Sequence, residues 1–425
     1  MKDNVAQMVS EICTADTLKC SLDLYDKYEK SLTDYRFIFA SKAGSAPGFS
    51  VNRNFSDGSV VRSLFNTPSI IVLDKDINNA MKKGKASYRL DYSISLDTQA
   101  LSYLEPYING RFSKLPRDFE EIFHFIAHPS VNIDPLPYLQ ENLFNLSDPK
   151  KASRIFDKIV SYEILRTIDI KKLKTQNTVA SVLTLSELAN RAQTQISRLF
   201  RDISDNGLMQ GLKFSFNFMY WHLLAMVSIE FSHPTLTTER KLEMMFSLCD
   251  KTLATLSTRE LTLAKHYFDK GQKLDFFGKI QKKSPKLFDT LEGMAWDMWH
   301  IRQIEKNFTI RPDPASNYFI PSLLTCDKRL VEIIELYPIK SIAYTKNSLS
   351  PMPYFDGDWI GSLSSDERFN ERLYLTYFSE SARLTTRAQR RNTSKSLIKN
   401  STKSLEKSIC EIAKIERDPS SIPSY

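Results

Sequence analysis

The sequence predicts an α/β protein that is predominantly helical. Between positions 150 and 310 apolar residues recur at helical spacing with few turn residues, and glycine is scarce, at 12 of 425 residues. Apolar runs at 70–73 and 318–324 and an alternating run at 92–96 are instead typical of β-strands. We therefore expect a small parallel sheet combined with a large helical region.

The composition is that of a basic globular protein. The formal net charge of +8 and the pI of about 9.0 are compatible with a polyanionic partner such as nucleic acid. The five cysteines are odd in number and include no Cys-x-x-Cys pair, which argues against a disulfide framework or a zinc knuckle. Residues 1–14 lack a signal-peptide pattern, and polar residues interrupt the apolar window 214–231. We expect a cytoplasmic protein that does not insert into membranes.

The N-terminal region, residues 1–88, is predicted to be helical or mixed. Residues 1–45 have a helical pattern that ends at the turn residues 44–48, and a short strand at 70–73 precedes a lysine-rich helix at 77–86.

The first candidate site residue is Asp97. It follows the alternating run 92–96 and precedes a short helix that Pro106 ends. Ligands of open α/β sheets bind beyond the carboxyl ends of the strands, where Asp97 would lie. The alternative is that Asp97 only caps the helix.

The second candidate is Asp297, on a helix with apolar residues on nearly every side. A buried, unpaired carboxylate there would cost several kcal/mol, so it needs a cation, a base or a metal. A salt bridge to Arg302 or a neighbouring lysine, or a contact with His300, would also meet this need.

The third candidate is Asp327, in the sequence Leu-Thr-Cys-Asp-Lys-Arg-Leu at 324–330. Here again a strand ends and an acidic residue leads into a helix. Thr325 or Asp327 could simply cap that helix.

The order of these features resembles that of PIN-domain nucleases. Thr325-x-Asp327 resembles the Thr-x-Asp that follows the fourth strand of that family and helps to form its metal cluster. Asp97-Thr98-Gln99 is similar to the family's opening Asp-Thr-Asn, with Gln99 in place of asparagine. The family also has a glutamate on a helix between the first two aspartates. Glu141 suits that position, and Glu121 competes with it.

The resemblance implies a chemistry and a set of ligands. Asp97, Asp297 and Asp327 would hold Mg²⁺ or Mn²⁺, hard cations that prefer oxygen ligands. Glu141 would complete the set, and Thr98 and Thr325 would support it through hydrogen bonds. The implied activity is hydrolysis of phosphodiester bonds, in RNA more than in DNA.

The resemblance also implies a domain organisation and a biological role. The PIN-like core would comprise residues 89–145 and 285–345, separated by a helical insertion at 146–284 and followed by a linker and basic tail at 346–425. Members of the family often act as toxins or phage-defence effectors, which implies a regulatory or antitoxin partner. The alternative is a non-catalytic helical scaffold or nucleic-acid-binding module, in which the acids are caps and salt bridges.

The C-terminal tail carries basic residues at intervals of four. Its first four are Arg383, Arg387, Arg391 and Lys395. On a helix of 3.6 residues per turn this row winds around the axis. Such an arm could follow nucleic-acid phosphates, or it could be a solvated tail.

Overall fold

The computed structural model describes residues 2–45, 52–65, 67–347, 350–392 and 395–417. The predicted mixed, predominantly helical α/β class is confirmed for this part of the chain. The helices and strands form two compact units, a sheet unit (residues 1–205 and 300–356) and a helical unit (residues 206–299 and 357–425). Each unit is described separately.

The strands all belong to the sheet unit. They are β1 (Tyr35–Ser45), β2 (Arg53–Asn54), β3 (Val60–Arg62), β4 (Ile70–Leu73), β5 (Leu90–Leu96), β6 (Ile133–Asp134), β7 (Tyr318–Thr325), β8 (Ile339–Thr345) and β9 (Met352–Phe355).

The helices are distributed over both units. Those in the sheet unit are α1 (Lys2–Thr14), α2 (Leu18–Tyr28), α3 (Lys75–Lys82), α4 (Thr98–Ile108), α5 (Phe119–Ile126), α6 (Leu136–Glu141), α7 (Pro149–Arg166), α8 (Ile170–Gln176), α9 (Leu185–Ser204) and α14 (Lys328–Glu335). Those in the helical unit are α10 (Asn206–Ser232), α11 (Thr238–Leu248), α12 (Thr258–Lys270), α15 (Glu367–Tyr377), α16 (Glu380–Asn392) and α17 (Lys395–Ala413). Helix α13 (Leu287–Asn307) contributes residues to both.

The sheet unit contains two sheets. One is antiparallel, in the order β4-β1-β8-β9, and the other is mixed, in the order β2-β3-β7-β5-β6. In the mixed sheet β5 runs parallel to both β6 and β7, whereas β2 and β3 are antiparallel. All eight residues of β7 are buried, as expected of a strand covered on both faces. Parallel pairing, as predicted from the sequence, occurs among β6, β5 and β7, but within a sheet that is mixed rather than parallel.

The predicted strands at 70–73, 92–96 and 318–324 are confirmed as β4, β5 and β7. The helical prediction for residues 1–45 is wrong at its end, because Tyr35–Ser45 form β1 at the centre of the antiparallel sheet. Phe37 and Phe39 of this strand pack with Tyr25 and with Val9 and Ile12 of the N-terminal helices. Residues 36–39 of β1 are all buried, as expected of a strand covered on both faces.

The unit boundary differs from the predicted insertion 146–284. Helix α7 lies in the sheet unit. Two of its side chains donate hydrogen bonds to other segments of that unit. The hydroxyl of Tyr162 donates to the carbonyl of Ile133 at 3.0 Å, and Lys158 Nζ donates to the carbonyl of Ser102 at 2.6 Å.

The helical unit has its own core. Trp221, Phe246, Tyr267 and Phe276 are fully buried there. Helix α17 of the predicted tail packs on α10, with Ile409 fully buried and Ser401 accepting a hydrogen bond from the Trp221 indole at 2.8 Å. Among the described helices, none combines the length and the apolar character needed to cross a membrane.

Candidate functional site

Asp97 and Asp327 follow two neighbouring parallel strands. In the pairing of β5 with β7, Leu96 lies opposite Leu324. The Asp97 amide donates to the Leu324 carbonyl at 3.0 Å, so the pairing extends to the residue after the strand. The carboxyl end of the parallel sheet therefore brings Asp97 next to the segment that contains Thr325 and Asp327.

Asp97 is the N-cap residue of α4 and is almost fully buried. Its carboxylate accepts a hydrogen bond from the Ala100 amide. Burial raises the pKa of Asp97 from 3.8 to about 6, and the nearby Asp327 carboxylate adds to this rise. Hydrogen bonds from Ala100 and Thr325, together with the charge of His300, act in the opposite direction. Asp97 thus changes its charge close to neutral pH, which is frequent for carboxylates in functional sites.

Asp327 is the N-cap residue of α14. Its carboxylate accepts a hydrogen bond from the Arg329 amide at 2.9 Å and lies 3.6 Å from Arg329 Nε. The Asp327 amide donates to Thr325 Oγ1 at 3.1 Å. Because the fully buried Thr325 side chain also hydrogen-bonds Asp97, this one hydroxyl links the two aspartate segments.

Glu141, at the end of α6, contacts Thr98, the residue after Asp97. Its carboxylate accepts a hydrogen bond from the Thr98 hydroxyl, and its Oε2 lies 3.6 Å from His300 Nε2. Burial alone would raise the pKa of Glu141, but the hydrogen bond and charge of His300 and the hydrogen bond of Thr98 outweigh it, so the pKa is lowered. Glu121, the competing glutamate, instead accepts from the Ser56 amide at 3.0 Å and from Arg53.

His300 is a site residue that the sequence did not identify. It was considered only as a possible contact of Asp297, yet its buried imidazole faces Glu141 and acts electrostatically on Asp97. The only sequence feature that pointed to His300 was its position as a histidine on a largely apolar helix. Such a position does not indicate which acidic side chain the imidazole contacts.

Asp297 belongs to the helical unit, unlike the other three candidates. Its carboxylate lies 3.7 Å from Lys279 Nζ, and the side chain is 24% exposed rather than fully buried. A lysine contact of this kind is one of the alternatives considered from the sequence.

Two further carboxylates, of the half-buried Asp134 and the buried Asp118, were not singled out from the sequence. Asp134 accepts hydrogen bonds from the hydroxyls of Ser93 and Ser95, and burial raises its pKa. Asp118 accepts from the Ser59 amide at 3.0 Å and the Ser59 hydroxyl at 2.9 Å. Both carboxylates thus accept hydrogen bonds from neighbouring strands and loops, which explains them as structural groups.

Binding of a divalent cation depends on how many ligand side chains lie close together. Within the ranges that the structure describes, no group of three or more His, Cys, Asp or Glu side chains is arranged to hold a metal ion. Mg²⁺ in proteins commonly takes one or two carboxylates and fills its remaining positions with water and substrate phosphate. Asp97 and Asp327 are two carboxylates that follow adjacent strands.

The predicted nucleic-acid-binding residues of the tail are only partly described. Arg383 lies on α16 and is exposed. The side chains of Arg387, Arg391 and Lys395 lie outside the described residues.

No protein-family model, curated protein or solved structure matches this chain. The fold and the site therefore define the molecule only as an α/β protein with two aspartates, a glutamate and a histidine near the carboxyl end of its parallel strands.

Proposed function

We propose that the chain is a PIN-like, metal-dependent endonuclease that hydrolyses phosphodiester bonds, with RNA as the preferred substrate. One observation carries the proposal: Asp97 and Asp327 follow adjacent parallel strands and are linked through the Thr325 hydroxyl. The family that the sequence resembles has an acidic residue after each of two strands. Asp97 and Asp327 occupy such positions, after two neighbouring strands.

In this proposal each site residue has a different role in hydrolysis. Asp97 and Asp327 would hold Mg²⁺ or Mn²⁺, which polarises a phosphodiester oxygen when bound. Thr325 orients the Asp97 carboxylate and holds the backbone amide of Asp327, and Thr98 orients Glu141. The lowered pKa keeps Glu141 ionised at neutral pH, so its carboxylate can accept a hydrogen bond from an attacking water and orient it. His300 holds Glu141 in place.

The wider role follows from the same resemblance. The chain would act as a toxin or phage-defence effector in the cytoplasm, with a regulatory or antitoxin protein as its partner. The net charge of +8 supports a polyanionic substrate. The resemblance also assigns Asp297 to the metal, and its carboxylate lies 3.7 Å from Lys279 Nζ, so the proposal is made to depend on Asp97 and Asp327 alone.

A non-catalytic scaffold or nucleic-acid-binding module is the second candidate. It is favoured by the capping bonds of Asp97 and Asp327, which would exist in a purely structural protein as well. Asparagine caps a helix as well as aspartate does, but it cannot supply a negative charge to a cation. Replacing each aspartate by asparagine therefore separates the two functions.

The test uses purified protein with end-labelled single-stranded RNA or DNA, in Mg²⁺, Mn²⁺ or EDTA. Wild type should cleave RNA in either metal and not in EDTA, and Asp97→Asn and Asp327→Asn should each lose at least about a hundredfold in rate. Asp169→Asn and Asp366→Asn are matched controls, because these aspartates cap α8 and α15 with the same hydrogen bonds. Equal cleavage by all four variants, or none by wild type in either metal, would leave the scaffold as the better description.

A further inference from the structure

A cleft of about 690 Å³ opens at the C-terminal end of α4, within the sheet unit. One wall is the loop that connects α4 to α5, and the opposite wall is formed by residues 177–179 after α8. Both helices end in left-handed backbone, at Gly110 with φ +69° and at Asn177 with φ +49°. These turns direct the two chain segments to either side of the cleft.

The cleft is lined by aromatic rings. Tyr107 and Phe119 are buried, whereas Phe112 is 59% exposed and forms a T-shaped pair with Tyr107, at a centroid distance of 5.5 Å and an interplanar angle of 69°. An aromatic ring left this open offers a free face for a planar ligand. Bases of single-stranded nucleic acid stack on such rings regardless of sequence.

Positive charge lies on both sides of the aromatic lining. The connecting loop carries Arg111, Lys114 and Arg117, and Arg117 lines the cleft directly. Helix α8, which leads to the opposite wall, carries Lys171, Lys172 and Lys174, of which Lys172 lies 4.0 Å from Asp169. Among the described residues, none forms an ion pair with Arg117. Charge spread over two walls suits several phosphates in a row better than a single phosphate group.

We propose that this cleft binds a single-stranded nucleic acid, with one base stacked on Phe112 and the adjoining phosphates held by Arg117 and the flanking lysines. Asn177 and Glu120, which also line the cleft, can hydrogen-bond the edge of that base. The inference rests on the proposed function and deepens it. Helix α4 begins at Asp97 and ends at the cleft, so the two sites are about 16 Å apart along its axis.

The test measures binding without cleavage. A fluorescein-labelled oligoadenylate RNA is titrated with the full chain in EDTA, and anisotropy gives the Kd at several salt concentrations. Phe112→Ala should weaken binding by about tenfold or more, the loss of one stacked base. Arg117→Gln should flatten the slope of log Kd against log salt by about 0.7, the loss of one phosphate contact.

Matched controls lie elsewhere on the same unit. Phe200→Ala removes another exposed ring, 45% accessible, and Arg89→Gln removes another exposed charge. Neither should change Kd by more than about twofold, and both should leave the salt slope within well under about 0.7 of the wild-type value. Adenosine monophosphate as a competitor distinguishes a strand from a free nucleotide.

The outcomes separate this inference from the nuclease proposal. Binding that depends on Phe112 and Arg117 supports the cleft even where no RNA is cleaved in Mg²⁺. Kd values equal for wild type and Phe112→Ala would overturn the inference while leaving the roles of Asp97 and Asp327 untouched. A monophosphate that binds as tightly as the oligonucleotide would also overturn it, because the cleft would then hold one nucleotide and not a strand.

Discussion

The carboxylate of Glu141 lies 3.6 Å from His300 Nε2 and accepts a hydrogen bond from Thr98, the first residue of the helix that Asp97 caps. Three segments distant in sequence thereby meet at one end of the parallel sheet. The same contact lowers the pKa of Glu141, whereas burial raises that of Asp97. The pKa values of these two carboxyl groups are thus shifted in opposite directions, so the groups ionise in different pH ranges.

Asp97→Asn should stabilise the protein above pH 6. The folded-state pKa of Asp97 is about 6 against 3.8 when unfolded, so the unfolded chain ionises first as the pH rises. The free energy of unfolding therefore falls between about pH 4 and pH 6, by roughly 3 kcal/mol at most for this shift. Urea unfolding of wild type and Asp97→Asn at pH 4 and pH 8 measures this change in the free energy of unfolding. Equal stability differences between variant and wild type at both pH values would contradict the burial argument.

Glu141→Gln should have the opposite pH dependence. A lowered folded-state pKa contributes stability that is present above the unfolded value of 4.5 and is lost as the pH falls. The variant should be less stable than wild type at pH 7, by on the order of 1 kcal/mol, and similar to it at pH 3. Glu121→Gln, whose carboxylate is 39% exposed, is the control in the same unfolding assay. A larger loss in the control would show that the His300 contact contributes little.

Mg²⁺ should raise the melting temperature of the wild-type chain. An ion that binds only the folded state stabilises it by about 1.4 kcal/mol at ten times its Kd. Asp327→Asn should abolish the rise, and Asp366→Asn should preserve it, in thermal scans with Mg²⁺ or EDTA. If both variants show the wild-type rise, the ion binds somewhere other than the two strand ends.

Thr325→Val should destabilise the fold and slow cleavage while keeping the volume of the side chain. The hydroxyl accepts from the Asp327 amide at 3.1 Å and hydrogen-bonds Asp97, and the side chain is fully buried. Loss of a buried hydrogen-bonding group costs about 1–3 kcal/mol. Thr184→Val is a control, because that hydroxyl lies on an exposed helix start and bonds Glu187. Unfolding curves and the RNA cleavage rate are the measurements, and a variant as active as wild type would remove Thr325 from the site.

Local patterns in the sequence accounted for part of the fold. The apolar or alternating runs at β4, β5 and β7 were recognisable, because side-chain alternation and buried runs are properties of short segments. The two-residue strands β2 and β6 carry too few positions for any periodicity. Strand β1 was missed because its start follows directly on two helices with a similar apolar content.

The sequence by itself determined that Asp97 and Asp327 each stand between a strand and a helix. It could not determine what surrounds them. Only the tertiary structure decided that β5 and β7 are parallel neighbours, that Thr325 links the two aspartates and that His300 faces Glu141. It also placed Asp297 in the other unit, beside Lys279. The physical reason is that pKa values and ligand sets depend on burial and on contacts between distant segments, which no local spacing of residues encodes.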